Sequence, residues 1–140
     1  MALQSPAEAI DQARRLLALP EDDAGAAHMV RRLDVPGAAY FLVHAAGRMA
    51  ALDAGSGELM SSAQAGRSTV TLSRAEAIAR AGLGPVADAG LAWGPSAATL
   101  SMFDPLWAVS AAGRTVYVDQ RGRVWPELPA KRPGGGGQPG

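Results

Sequence analysis

A nine-residue segment near the start of this 140-residue chain returns 68 positions later. Ser5-Pro6-Ala7-Glu8-Ala9-Ile10-Asp11-Gln12-Ala13 becomes Ser73-Arg74-Ala75-Glu76-Ala77-Ile78-Ala79-Arg80-Ala81, with Ser, Ala, Glu, Ala, Ile and Ala in register. Each copy begins as a Ser-x-x-Glu capping box, in which the Ser hydroxyl accepts the N–H three residues on and the Glu reaches back to the cap N–H. Both copies therefore open a helix. Pro6 suits the first helical turn, Pro20 closes the first helix, and Gly82 to Pro85 closes the second.

A second match follows at an offset of 66. Tyr40-Phe41-Leu42-Val43-His44-Ala45-Ala46-Gly47-Arg48 aligns with Leu106-Trp107-Ala108-Val109-Ser110-Ala111-Ala112-Gly113-Arg114, and Ala-Ala-Gly-Arg is identical. Asp53 and Asp119 keep the offset, each followed by a glycine and a short apolar segment. The pattern predicts two hairpins, each turning at Ala-Gly and then again between the Asp and the Gly. A turn at Ala112-Gly113 sets Val109 opposite Val116 and Trp107 opposite Val118, and these four pack the second helix. In the first copy Phe41, Val43, Ala50 and Leu52 form the equivalent group. His28 to Leu33 and Leu91 to Phe103 are expected to add an outer strand to each sheet, the second broken by Gly94-Pro95.

The expected fold is thus α+β: two tandem repeats, each one helix on a small antiparallel sheet in the order α-β-β-β. The units span 1–66 and 67–128, and the Pro/Gly-rich segment 129–140, with no apolar side chain after Ala130, is expected to be a disordered tail.

Composition narrows the functions available. Thirteen basic and thirteen acidic residues cancel, so no global field draws in nucleic acid or anionic lipid, and nucleic acid is not an expected partner. Without cysteine there is no disulfide, thiolate metal site or thiol nucleophile. No apolar run approaches the roughly 20 residues of a membrane span. The first residues carry no basic, apolar leader, so the chain as written is expected to be cytoplasmic, and extracytoplasmic if a leader precedes it or was removed.

The residues that could do chemistry fit turns and loops better. His28 and His44 lack a helical partner at metal-ligand spacing. Gly55-Ser56-Gly57 belongs to a turn rather than a nucleophile elbow. Glu21-Asp22-Asp23 lacks the alternating ligands of a cation loop. Asp53 and Asp119 suit turns in which the carboxylate accepts backbone N–H groups. Gly134 to Gly137 is followed by no helix and no Lys-Ser/Thr, so it is no phosphate loop. Neither an enzymatic activity nor a cofactor or metal is expected.

The run Asp104-Pro105-Leu106-Trp107-Ala108-Val109, then Gly113-Arg114-Thr115-Val116-Tyr117-Val118-Asp119 and Gly122-Arg123-Val124, resembles the end of a PepSY domain. Its pattern is an Ala-Glu-Ala-Ile helix start, a strand, and a hairpin closing on Val-Asp-x-x-x-Gly-x-Val. The first copy matches less fully, with Ala51-Leu52-Asp53-Ala54-Gly55-Ser56-Gly57-Glu58-Leu59 at the closing position. The resemblance covers roughly residues 5 to 127. It implies a non-enzymatic module that restrains a peptidase or binds another protein or peptide.

In such a module the sheet face away from each helix is the candidate surface, carrying Tyr40, Leu42, His44 and Met49 in the first unit. In the second it carries Leu106, Ala108, Ser110, Thr115 and Tyr117. A binding role predicts that Tyr40, His44, Met49 and Tyr117 are exposed together. Two alternatives stand beside it: self-association through the same face, and an enzyme with an unrecognised site. A third arrangement, in which the two sheets join and bury that face, removes the surface altogether.

Overall fold

The computed structural model describes residues 2–21, 24–96, 98, 99 and 101–128; the expected tail and Asp22-Asp23 lie outside them. Helix α1 spans Pro6–Leu17. The Ser5 hydroxyl accepts the Glu8 N–H, while the Glu8 carboxylate takes the N–H of Gln4, one residue before the cap. Helix α2 spans Arg74–Ala81 and carries the full reciprocal box between Ser73 and Glu76. Left-handed Ala18 and Gly82 end the two helices.

Strands β1 (Ala26–Arg32), β2 (Ala39–Ala45), β3 (Arg48–Asp53) and β4 (Leu59–Gln64) follow α1. Strands β5 (Asp88–Trp93), β6 (Leu106–Ala111), β7 (Arg114–Val118) and β8 (Val124–Trp125) follow α2. The β2–β3 and β6–β7 turns put Ala46 and Gly47, and Ala112 and Gly113, all at positive φ. That is the backbone of a type I′ turn, whose twist matches the flanking strands. Register follows: Val109 faces Val116, Trp107 faces Val118, Phe41 faces Leu52 and Val43 faces Ala50, as the sequence predicts.

Two expectations change. Instead of two small sheets there is one, of eight strands in the order β4-β3-β2-β1-β5-β6-β7-β8. And the strands expected at the outside, β1 and β5, are the two in the middle, paired in parallel through Arg31 with Ala92 and Arg32 with Trp93. Every other pairing is antiparallel. Arg32, at the end of β1, lies where the strand leaves the sheet, paired with Asp34 at 2.6 Å and 5.9 Å from the centre of the Trp93 ring. The parallel ladder runs on into the bond from Leu33 N–H to the Trp93 carbonyl, 2.8 Å. Gly94 permits this approach, because a Cβ there would lie 3.1 Å from that of Leu33.

Parallel pairing of β1 with β5 has a geometric consequence. Rotating one half onto the other about an axis along these strands turns the sheet over, so α1 and α2 lie on opposite faces. Accordingly Ala9 and Ala13 of α1 pack with Phe41, Val43, Ala50 and Leu52, whereas Ala77 of α2 packs with Trp107, Val109, Val116 and Val118. The α2-side cluster continues across the midline to Val30, Tyr40, Leu42, Met49 and Ala51. Burying each such Leu or Val side chain contributes about 1.5–3 kcal/mol.

The chain between β4 and α2 covers the first half on this side. Ala65, Val70 and Leu72 pack against the cluster, together with Met102 and Phe103. Polar contacts fix them. The Tyr40 hydroxyl donates to the Met102 carbonyl at 2.7 Å, Trp107 Nε1–H to the Leu72 carbonyl at 2.8 Å, and the Thr69 hydroxyl to the Phe103 carbonyl. The buried Gln120 side chain accepts the N–H groups of Thr71 and Leu72, each at 2.9 Å, and donates to the Pro105 carbonyl at 3.0 Å.

Candidate binding face

The turned sheet separates the nine residues that the sequence groups on one surface. Tyr40, Leu42 and Met49 face the α2 side and are fully buried under the β4–α2 segment. Leu106 is also fully buried. The expectation that Tyr40, His44, Met49 and Tyr117 are exposed together is therefore overturned: the first three belong to the opposite face from Tyr117, and two of them are core. His44 is half-buried, its Nε2 2.9 Å from the Ala65 carbonyl, so it anchors the covering segment. Thr115 is exposed and Tyr117 half-buried, both on the α1 side of the second half.

On that side α1 lies over β1, β2 and β3, and α2 occupies the other face. The cross-strand partners Gly90, Ala108, Tyr117 and Trp125 form a ladder over β5 to β8. Small residues at the β5 and β6 positions leave a shallow floor, and the two aromatic rings stand at its β7 and β8 end. A parallel ladder of Asp88, Ser110 and Thr115 runs beside it, all three exposed, with the two hydroxyls bonded to each other at 2.9 Å. Arg31, Asp88, Gly90, Ala108 and Ser110 line a small hollow of about 160 Å³ there. Arg74 reaches Asp88 at 2.6 Å and holds its carboxyl below the usual value, an ion pair wholly in solvent.

The aromatic end is held from beneath by Asp119. Its carboxylate accepts the N–H of Arg121 at 3.0 Å, the N–H of Arg123 at 2.9 Å and Trp125 Nε1–H at 3.2 Å. Burial pushes this carboxyl up, but the hydrogen bonds from Trp125, Arg123 and Arg121 and the nearby Arg121 guanidinium outweigh burial and bring it below its ordinary value. The Arg123 guanidinium stacks 4.0 Å from the centre of the Trp125 ring, a cation–π contact that presents a flat, partly polar platform. Trp125 was outside the surface expected from sequence; its register with Tyr117 across the Asp-to-Gly turn was the signal available.

Groups capable of acid–base work are dispersed or committed elsewhere. His28 is half-buried and its pKa is lowered by that burial, so it is neutral at pH 7. Asp53, like Asp119, accepts a turn N–H, that of Ser56 at 2.7 Å. Ser56 in turn accepts the Glu58 N–H. Asp104 is raised by burial, lowered by Arg121 and raised by Asp119, and lies 4.0 Å from the Arg121 guanidinium. Among the described residues no group of three His, Cys, Asp or Glu side chains could hold a metal ion. No helix among them is long and apolar enough to cross a membrane.

No family model matches this chain, and no curated protein and no solved structure matches it significantly.

Proposed function

We propose that the protein is a non-enzymatic module that binds another protein or a peptide, and that the contact surface is the α1-side face of β5 to β8. One observation carries this: the ladder Gly90, Ala108, Tyr117 and Trp125 lies on a face that neither helix covers. Tyr and Trp presented at the rim of a shallow surface are the side chains that contribute most when a protein interface closes over them.

We infer further that the chain consists of two copies of one αββββ unit and that this face is the counterpart of the buried one in the first half. In that half the segment 65–72 supplies Ala65, Val70 and Leu72 as a cover. At the 66-residue offset stand residues 131–138, which are Lys, Arg, Pro, four Gly and Gln. They offer no apolar side chain for the same task. A partner would supply what the second half does not.

The resemblance of the second unit to PepSY domains gives the partner a class, a peptidase restrained by the module. The test is inhibition of secreted peptidases by the purified protein, with Tyr117→Ala and Trp125→Ala alongside. Stoichiometric slowing by the natural protein, weakened about tenfold or more in either folded variant, is the expected result. Undiminished inhibition by both variants would overturn the choice of face, and unaltered peptidase activity throughout would overturn the peptidase assignment.

A further inference from the structure

The two ends of the sheet are built differently. β8 is two residues long, carries the Arg123–Trp125 stack and runs straight into Pro126. Shortness, charge and proline are the devices by which proteins prevent a sheet edge from pairing with another chain. β4, at the other end, has none of them. It is six residues long, Leu59-Met60-Ser61-Ser62-Ala63-Gln64, with no charge and no proline. The only irregularity is a register shift against Ala51/Leu52, which leaves Ser61 to Gln64 in regular pairing with β3. Two of the exposed large apolar side chains, Leu16 and Leu59, line one hollow of about 380 Å³ beside the start of this strand.

We propose that β4 pairs antiparallel with β4 of a second copy, joining two sheets across a two-fold axis at Ser62. A two-fold perpendicular to a sheet makes the axial residue face itself and pairs its neighbours symmetrically, here Ser61 with Ala63 and Met60 with Gln64. Identical charges meeting at such an axis repel. β4 carries none of its own, and its Ser62 hydroxyl accepts from the Arg48 guanidinium of the same copy at 3.1 Å, so the joint is made by backbone hydrogen bonds between the two edges rather than by the axial hydroxyls. The chain as a whole carries no net charge at pH 7, so two copies are not held apart at long range. The contact leaves Tyr117 and Trp125, at the far end of the sheet, free.

The experiment is mass measurement by light scattering over a concentration series up to about 100 µM, on the natural chain, Ser62→Lys, Ser62→Glu and an equimolar mixture of the two variants. The natural protein should approach twice the 14.3 kDa of the chain. Ser62→Lys, which sets two further cations beside Arg48 at the axis, should dimerise about tenfold or more weakly, and its mixture with Ser62→Glu should recover the dimer as a Lys/Glu pair. Circular dichroism checks that the variants are folded, and recovery in the mixture excludes unfolding as the cause of dissociation. A natural protein that stays monomeric, a dimer indifferent to Ser62→Lys, or a mixture that fails to recover would each overturn the proposal. Because Tyr117→Ala leaves this dimer intact, peptidase binding and self-pairing fail independently.

Discussion

Ala51 and Tyr117 occupy the same place in the two halves, as do Met49 and Thr115, yet the first of each pair is buried and the second reaches solvent. Each lies on the sheet face away from its own helix. In the first half that face is closed by chain arriving from β4 and by Met102 and Phe103; in the second, among the described residues, Leu106 and Ala108 are buried while Thr115 and Tyr117 reach solvent. Residues at matched offsets in the sequence therefore need not have equivalent environments. What decides is the chain that passes over them, and the passing chain is the least repeated part of this sequence.

Substitutions at matched positions test that difference. The largest effect is expected for Leu42→Ala, which leaves a cavity in the α2-side core and should lower stability by about 2–5 kcal/mol. Denaturant unfolding measures it, and a loss under 1 kcal/mol would mean that the covering segment does not seal this face. Next is Gln120→Ala, which orphans the Thr71 and Leu72 N–H groups and the Pro105 carbonyl, at a cost of about 2–3 kcal/mol. The matched position in the first half is Ala54, which has no such side-chain bonds to lose. Hydrogen exchange should show Thr71 and Leu72 opening first in the Gln120 variant.

A smaller effect is expected at the turn aspartates. The Asp119 carboxyl is lowered from its ordinary 3.8 in the folded protein, so the stabilisation is present above the unfolded value and disappears as pH falls through the folded one. Asp119→Asn should cost about 1–2 kcal/mol at pH 7 and flatten the loss of stability below about pH 4. Asp53→Asn should cost less stability at pH 7, since Asp53 serves one turn N–H where Asp119 serves two and an indole. Smallest in stability is Tyr117→Ala, about 1 kcal/mol for a half-buried side chain. A thermal melt displaced as far as that of Leu42→Ala would show the two faces to be equally structural.

The helices and hairpins were legible because their signals are local. Ser5 and Ser73 with a Glu three residues on mark the helix starts, and Ala-Gly at 46–47 and 112–113 fixes a turn whose register then follows. The meeting of the halves was not legible, because the choice between parallel and antiparallel pairing of β1 and β5 is made by contacts some sixty residues apart. That choice alone sets whether the two helices share a face. With it undetermined, Tyr40 and Tyr117 could be assigned to one surface, although the continuous apolar run of β2, from Ala39 to Val43, suits a strand buried on both faces. Of the proposed surface, the placing of Thr115 and Tyr117 on one face follows from alternation along β7, whereas that of Trp125 needed the short β7–β8 ladder.

The cover over the first half also bears on how the chain acquires its structure. Tyr40 donates its hydroxyl to a carbonyl 62 residues downstream, and the strip that hides Leu42 and Met49 is itself tied down by Gln120 and Trp107. During synthesis α1 and its hairpin emerge with one greasy flank bare, and cannot finish their interior until the chain as far as Gln120 has left the ribosome. A fragment cut between β4 and α2 should thus behave as a sticky intermediate rather than a miniature of the whole, and the intact molecule should melt in a single step.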